Sequence, residues 1–521
     1  MLVTAVTNRA KLLALAALVA LALPGCGVAS SSSSVSAQDP ADVVPAGALI
    51  YISLPARLQS PEGPAFAAVL SHLVGNAAQA KLDHLLNKLA ASAGTTYAKG
   101  IRPWLGSHVG IAMTQFPNLL SLVGAAAGRG GPDDVLSALL GSVAVIVPTD
   151  NPSAASNFLK LADKRGGVPL GLTAVVHGND LLVGGDSAVS AVEHTTASTS
   201  LAGSAGYSAM LARLASQPIG SIYVSEHLIK SAVSLAAIGG KLPGGLLSSA
   251  ETELSKVPAD AAELEALTAT DTTLQLDVLT NGFPATAQRV PADVGTLTSA
   301  SWLALSTGSI KVPASALAGV KLGFSTGLAR QHARLQELGP MAGRLVAKLE
   351  HSETIAEHVI GALGPISLSI SGTSLGRANL GFTMAPSNTA AAKQLLSLVF
   401  GLARSDPNNG LKGSATAFML LTKHRQVLHL RDVGGRIQAL IGYPSASAFL
   451  NSSSRLANTA SYRAALAQLQ AGAGVPLYLN FGPLASLMAA ERGKRAAMLR
   501  KLSYLIVGHT PGDTRIVLGL S

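Results

Sequence analysis

Gly372-Thr373-Ser374-Leu375-Gly376 has the G-x-S-x-G spacing of a serine-hydrolase nucleophile elbow. In that elbow a strained strand-to-helix turn lifts the serine hydroxyl to the surface, within reach of a base. Here the alternating runs 365–371 and 377–384 flank the motif, which predicts strand, turn and strand. A structural hairpin is expected, and a hydrolase built on Ser374 ranks last among the functional readings. The densest metal-capable group is His351, Glu353, Glu357 and His358. On a helix Glu353 and Glu357 share a face, but the zinc motif H-E-x-x-H needs its two histidines four apart over one ion. A solvated polar face accounts for this group. His424 and His429, five apart in an extended run, point to opposite faces of a strand. Gly184-Gly185-Asp186-Ser187 follows an apolar run and opens a helical one, as phosphate loops do. It lacks both the P-loop lysine and the G-x-G-x-x-G spacing, so a turn with a helix cap is expected. No catalytic residue, metal or cofactor is assigned.

The elements that would carry these residues occur twice. Leu181–Leu214 and Ala439–Leu469 both read as an apolar strand ending at Gly, a turn, a helix, then Ser-rich residues, Leu-Ala, Tyr and a second helix. Tyr207 pairs with Tyr462 at an offset of 255, and Tyr223 pairs with Tyr478 at the same offset. Outward from these, Tyr51 falls opposite Trp302, Trp104 opposite Ala362, and the closing strand at Asp271 opposite that at Asp513. Asp150 and Ser387 are the expected helix caps. The predicted fold class is α+β, with two tandem similar halves at 41–285 and 290–521. Each half is an antiparallel or mixed sheet with Ala/Leu helices on one face. Whether the halves share one sheet is left open.

Ahead of the halves lies an export signal, residues 1–25. Arg9 and Lys11 precede the apolar run Leu12–Leu23, which is shorter than the roughly 18–20 residues of a membrane span. Leu23-Pro24-Gly25-Cys26 resembles the bacterial lipobox, with Pro24 the departure from its usual pattern. That resemblance implies a diacylglycerol on the Cys26 thiol and cleavage just before it. Residues 26–40 then form a Ser-rich tether, too polar to bury a core. Cys26 is the only cysteine, so no disulfide is available and the body depends on packing.

The net charge of +10 fits a body resting against anionic headgroups. Export argues against nucleic acid as the partner. Charged residues make up 13% of the chain, about half the usual quarter. Two segments differ between the halves. Thr114–Leu140 is mostly apolar and reads as a hydrophobic lid or as an ordinary helical insertion. Leu487–Leu502 reads as a basic helix whose Arg492, Lys494, Arg495, Arg500 and Lys501 form a bilayer-facing patch or a solvated face.

The segments VPAGALIYISL, IRPWLGSHVGIAM, LLVGGDSAV with SLAGSAGYSAML, and SIYVSEHL resemble a family of uncharacterised bacterial lipoproteins, mostly actinobacterial, with a domain of unknown function. The resemblance implies an envelope location, anchorage to the outer face of a membrane and a tandem fold; it implies no reaction. The chain is expected to be a non-enzymatic envelope lipoprotein, held to the membrane through lipid on Cys26, that binds or scaffolds another envelope protein. A carrier of an apolar ligand such as a lipid is the alternative.

Overall fold

Period-two burial marks several of the strands. In Ala262–Ala269 every second residue is buried, and in Gly220–Ser225 the same alternation holds. The computed structural model describes residues 39–56, 87, 90–91, 94–116, 141–164, 172–228, 230, 257–258, 260–282, 294–307, 364–372, 378–386, 388–404, 410–421, 427–443, 454–489, 497 and 499–521. The chain divides into two units: Met1–Ala232 with Val257–Phe283, and Val233–Lys256 with Pro284–Ser521.

Unit 1 contains strands β1 (Ile50–Pro55), β2 (His108–Met113), β3 (Val143–Pro148), β4 (Thr173–His177), β5 (Asp180–Gly184), β6 (Gly220–Ser225), β7 (Ala262–Ala269) and β8 (Thr273–Asn281). Their spatial order is β4-β5-β3-β2-β1-β6-β7-β8, antiparallel throughout. Unit 2 contains β9 (Ser301–Thr307), β10 (Ile366–Ser371), β11 (Asn379–Met384), β12 (Lys412–Ser414), β13 (Ala417–Leu421), β14 (Val427–Val433), β15 (Arg436–Ile441), β16 (Gly474–Asn480), β17 (Leu502–Thr510) and β18 (Asp513–Leu520). Its order is β12-β13-β14-β15-β11-β10-β9-β16-β17-β18, again antiparallel. Once β12 and β13 are set aside, this order repeats that of unit 1. Gly434 and Gly435, both at positive φ, form the two-residue turn between β14 and β15, where a side chain would be strained.

Helices punctuate the strands: α1 (Pro152–Lys164), α2 (Asp186–Glu193) and α3 (Ala205–Leu211) in unit 1, and α4 (Thr389–Arg404), α5 (Ala460–Leu466) and α6 (Phe481–Ala489) in unit 2. The α+β expectation of sheets with helices on one face is overturned. Strand accounts for 43% of the described residues against 27% helix; the antiparallel pairing of every described ladder is the part of the expectation that stands. Helices also pack on both faces rather than one. Adjacent strand residues point oppositely, and Ile146 and Leu182 join Val189 of α2 and Tyr207 of α3 in one core. Their neighbours Val147 and Leu181 join Trp104 and Ala155 of α1 in another. In unit 2, Leu440 packs with Tyr462 of α5 while Ile437 packs with Leu396 of α4. The error has a physical source: Ala and Leu favour helices in isolation, but strand pairing overrides that weak preference. Among the described residues no helix is long and apolar enough to cross a membrane.

Two local expectations shift by one or two residues. The cap of α1 is Asn151, whose Oδ1 accepts from the Ala154 amide at 3.0 Å, rather than Asp150. Ser387 lies outside the described residues; before α4, Asn388 Oδ1 accepts from the Ala390 amide at 3.0 Å. Tyr51 pairs across the ladder with Tyr223, and Ala304 pairs with Tyr478, so Ala304 rather than Trp302 occupies the position of Tyr51. Leu303 opposes Ile370 and Ser301 opposes Ser371, which makes Trp302 the extra residue of a β-bulge.

Candidate functional site

Several sequence candidates lie outside the described residues: Leu23, Pro24, Gly25, Cys26, His351, Glu353, Glu357, His358, Ser374, His424, Arg492, Lys494, Arg495 and the stretch 117–140. Around Ser374, β10 and β11 pair antiparallel with Ser371 opposite Asn379, so the flanks are strand and strand, as a hairpin requires. His429 sits in β14 between Met419 and Leu440. No group of three or more metal-capable side chains occurs among the described residues. At the Gly184-Gly185 turn, a Cβ on Gly184 would meet the Val143 carbonyl oxygen at 2.2 Å, and one on Gly185 the Gly141 oxygen at 2.2 Å. These glycines serve close backbone contact with β3 and the residues just before it.

The repeated tyrosines are core residues. Ser204 caps α3 by accepting from the Tyr207 amide, and Thr459 caps α5 by accepting from the Tyr462 amide, both at 3.3 Å. Each cap aims the third helical residue at a strand tyrosine. Tyr207 meets Tyr223 edge-on with centroids 5.6 Å apart, and Tyr462 meets Tyr478 edge-on at 5.1 Å. In unit 1 Tyr51 completes the cluster and donates to Asp39 Oδ1 at 3.3 Å.

Asp180 opens β5 and is 3% exposed, and its Oδ1 has no hydrogen-bond partner among the described residues. Burial, opposed by His177 and aided by the carboxylate of Asp42, pushes its pKa up to about 6. The raised value means that the fold favours the protonated acid. The associated stability is fully present below the unfolded pKa near 3.9 and is lost as pH rises through about 6. Asp180→Asn is therefore expected to stabilise unit 1 by about 1–2 kcal/mol at pH 7, after allowing for partial solvent screening, and to leave it unchanged at pH 3.5. Urea titrations at the two pH values check this, and equal gains at both would contradict it.

The sharpest chemical difference between the units follows β6 and β16. The offset that aligns Tyr223 with Tyr478 places Glu226 at Phe481, His227 at Gly482 and Lys230 at Ala485. In unit 1 Glu226 is 2% exposed, forms an ion pair with Lys230 one turn on, and is approached by His227 Nδ1 at 3.0 Å. Lys230 Nζ also donates to the Val257 carbonyl at 3.1 Å. In unit 2 these three positions hold a ring, a glycine and a methyl group.

An open pocket of about 460 Å³ lies in unit 2 where the two smallest of these replacements stand, with Gly482 and Ala485 in its wall. Ser461 of α5, Ser486 of α6, Asn480 at the end of β16, and Arg500, Ser503 and Tyr504 at the start of β17 line it. Ser521 also lines it, at the backbone of Arg500, and among the described residues none of its lining side chains is acidic. Asn480 Oδ1 accepts from the Gly482 amide at 3.1 Å, which leaves its NH2 group as the donor. Burial and Tyr478 push the Tyr504 hydroxyl up, so it stays protonated at neutral pH and can donate.

Of the expected basic helix, Arg500 and Lys501 are described, and they lie in the turn entering β17. These two turn residues precede Leu502, which opens β17, so the expected helix does not extend to Leu502. The pocket was missed in the sequence because it arises from small side chains. The same 255 offset, read past Tyr478, marks the loss of Lys230's counterpart.

A family described as "Protein of unknown function (DUF3352)" matches residues 9–311. No curated protein and no solved structure matches the chain.

Proposed function

The chain belongs to the DUF3352 family of proteins of unknown function, and for it we propose a membrane-anchored envelope lipoprotein whose body binds a partner without chemical turnover. The anchor reading rests on Leu23-Pro24-Gly25-Cys26 and the Ser-rich residues behind it. The binding reading rests on one observation, the open pocket of unit 2, which offers donors and a cation on a framework of packed strands and helices. Within unit 1, Glu226 is engaged structurally with Lys230, and Asp39 with Tyr51. The apolar-carrier alternative gains less support, since the strand–helix interfaces are filled by side chains such as Tyr51, Met210, Tyr462 and Leu396.

The anchor is tested by membrane fractionation and intact-mass measurement of wild type and Cys26→Ala. Wild type is expected in the membrane fraction with a covalent diacylglycerol-sized increment, and the variant without that increment. Equal masses and equal partitioning would sink the lipoprotein reading.

A further inference from the structure

Strands β12 and β13 extend the sheet of unit 2 beyond β14, and among the described residues they have no counterpart in unit 1. Residues opposed in a ladder share a face, and neighbours along a strand alternate between faces. Phe418 and Leu420 share a core with Leu396 of α4, which closes that side. The pairs Leu421 with Val427 and Lys412 with Met419 lie on the other side, as do Val433 and Arg436 at the β14–β15 turn. Leu421, Val427 and Val433 are 47%, 38% and 43% exposed, three of the five large apolar side chains exposed among the described residues. Lys412 and Arg436 are exposed on the same side, and neither forms an ion pair among the described residues.

The charge here has changed sign between the units. Residues 427–487 hold four arginines and one carboxylate, whereas the corresponding 172–232 hold two cations and four carboxylates. At the hairpin turn, Val433 and Arg436 stand where unit 1 has His177 and the buried Asp180. The one carboxylate, Asp432, lies on the α4 side opposite Ile437, and its Oδ1 accepts from the Gly435 amide at 2.9 Å. Exposed apolar side chains set among cations suit a surface that is negative at its boundary and apolar just beneath, the chemistry of an anionic bilayer.

We propose that this face of β12–β14 rests on an anionic lipid surface, with Lys412 and Arg436 at the headgroups and Leu421, Val427 and Val433 entering the boundary beneath them; this rests on the anchor reading above and names the side of the body that meets the lipid. Flotation of the full chain carrying Cys26→Ala tests it, because no lipid on the thiol then contributes. Binding to vesicles of mixed phosphatidylglycerol and phosphatidylcholine is expected, and none to phosphatidylcholine alone. Lys412→Gln with Arg436→Gln should weaken it at least about tenfold, since each cation near such a surface contributes about fivefold. Leu421→Ser with Val427→Ser should weaken it at least about threefold through lost apolar contact. Lys160→Gln with Lys164→Gln removes the same charge from exposed sites on α1. That variant should change binding by less than about twofold. Matching circular dichroism and unfolding midpoints exclude misfolding as the cause.

Absent flotation, equal flotation with both vesicles, binding that the β12–β14 variants retain, or an equal loss in the α1 variant overturns the proposal. Failure to float, with a sedimenting dimer that Leu421→Ser and Val427→Ser dissolve, assigns the face to a second copy and overturns it equally. The anchor reading is judged separately, by the mass increment on Cys26, and survives each of these failures.

Discussion

Tyr462→Ala is expected to lower the stability of unit 2 by about 3–5 kcal/mol, the range for deleting a buried ring. Tyr462 is fully buried, packs edge-on against Tyr478 at 5.1 Å, and shares its core with Leu440, Val475, Ile506 and Val517. Those neighbours belong to paired strands whose ladders hold them in register, so the space left by the ring cannot close without breaking backbone hydrogen bonds. The cap at Thr459 would survive, because it uses the backbone amide of residue 462 rather than its side chain. Helix α5 would therefore remain in place above a void. In denaturant the unit 2 transition should move to lower midpoint with its slope preserved. A loss below about 1 kcal/mol would show that the core collapses around the missing ring, contrary to this account.

Lys230→Ala carries the second large effect. Glu226 is almost wholly enclosed, and removing its lysine leaves a buried carboxylate with, among the described residues, His227 as its remaining charged neighbour. Breaking such a pair destabilises strongly because the remaining charge has lost both water and partner. About 2–3 kcal/mol is expected, somewhat below the fully buried case because Lys230 is 37% exposed. Unit 2 suggests the compensating change, since it carries Phe481 and Ala485 at the corresponding places. The double variant Glu226→Phe with Lys230→Ala should recover to within about 1 kcal/mol of wild type. A double-mutant cycle measures the coupling directly. Strict additivity would mean that the two residues stabilise unit 1 separately and that the ion pair is incidental.

What could be read from the residues beforehand was local or periodic. Ile50, Ile52 and Leu54 mark a strand by alternation, and Tyr207 with Tyr223 recurs as Tyr462 with Tyr478 because one helix-on-strand contact is used twice. Strand order was not visible, because it depends on pairings between distant segments such as Tyr51 with Tyr223. The true offset of 253 between the opening segments, seen in Pro45 opposite Ser200 and Thr298 opposite Arg455, was likewise fixed by distant pairings and not by the matching Ala-Asp-Val of the two segments. Helix was over-read because alanine-rich stretches suit helices when considered alone. The burial of Asp180 could not be inferred either, since it comes from β3 and β4 pairing around it rather than from its own neighbours in sequence. Most of the candidate pocket escaped notice because Gly482 and Ala485 contribute by being small.

In each unit the first strand ends up in the interior of the sheet: β1 lies between β2 and β6, and β9 between β10 and β16. A chain delivered from its N-terminus therefore cannot seat its opening strand on both sides until Ser225, or in unit 2 Asn480, has followed. Every completed sheet contains a contact that spans most of its unit, the topology that slows folding. Such a sheet is completed only when nearly the whole of its unit is present, so truncation before β6 or β16 leaves the opening strand with one open edge.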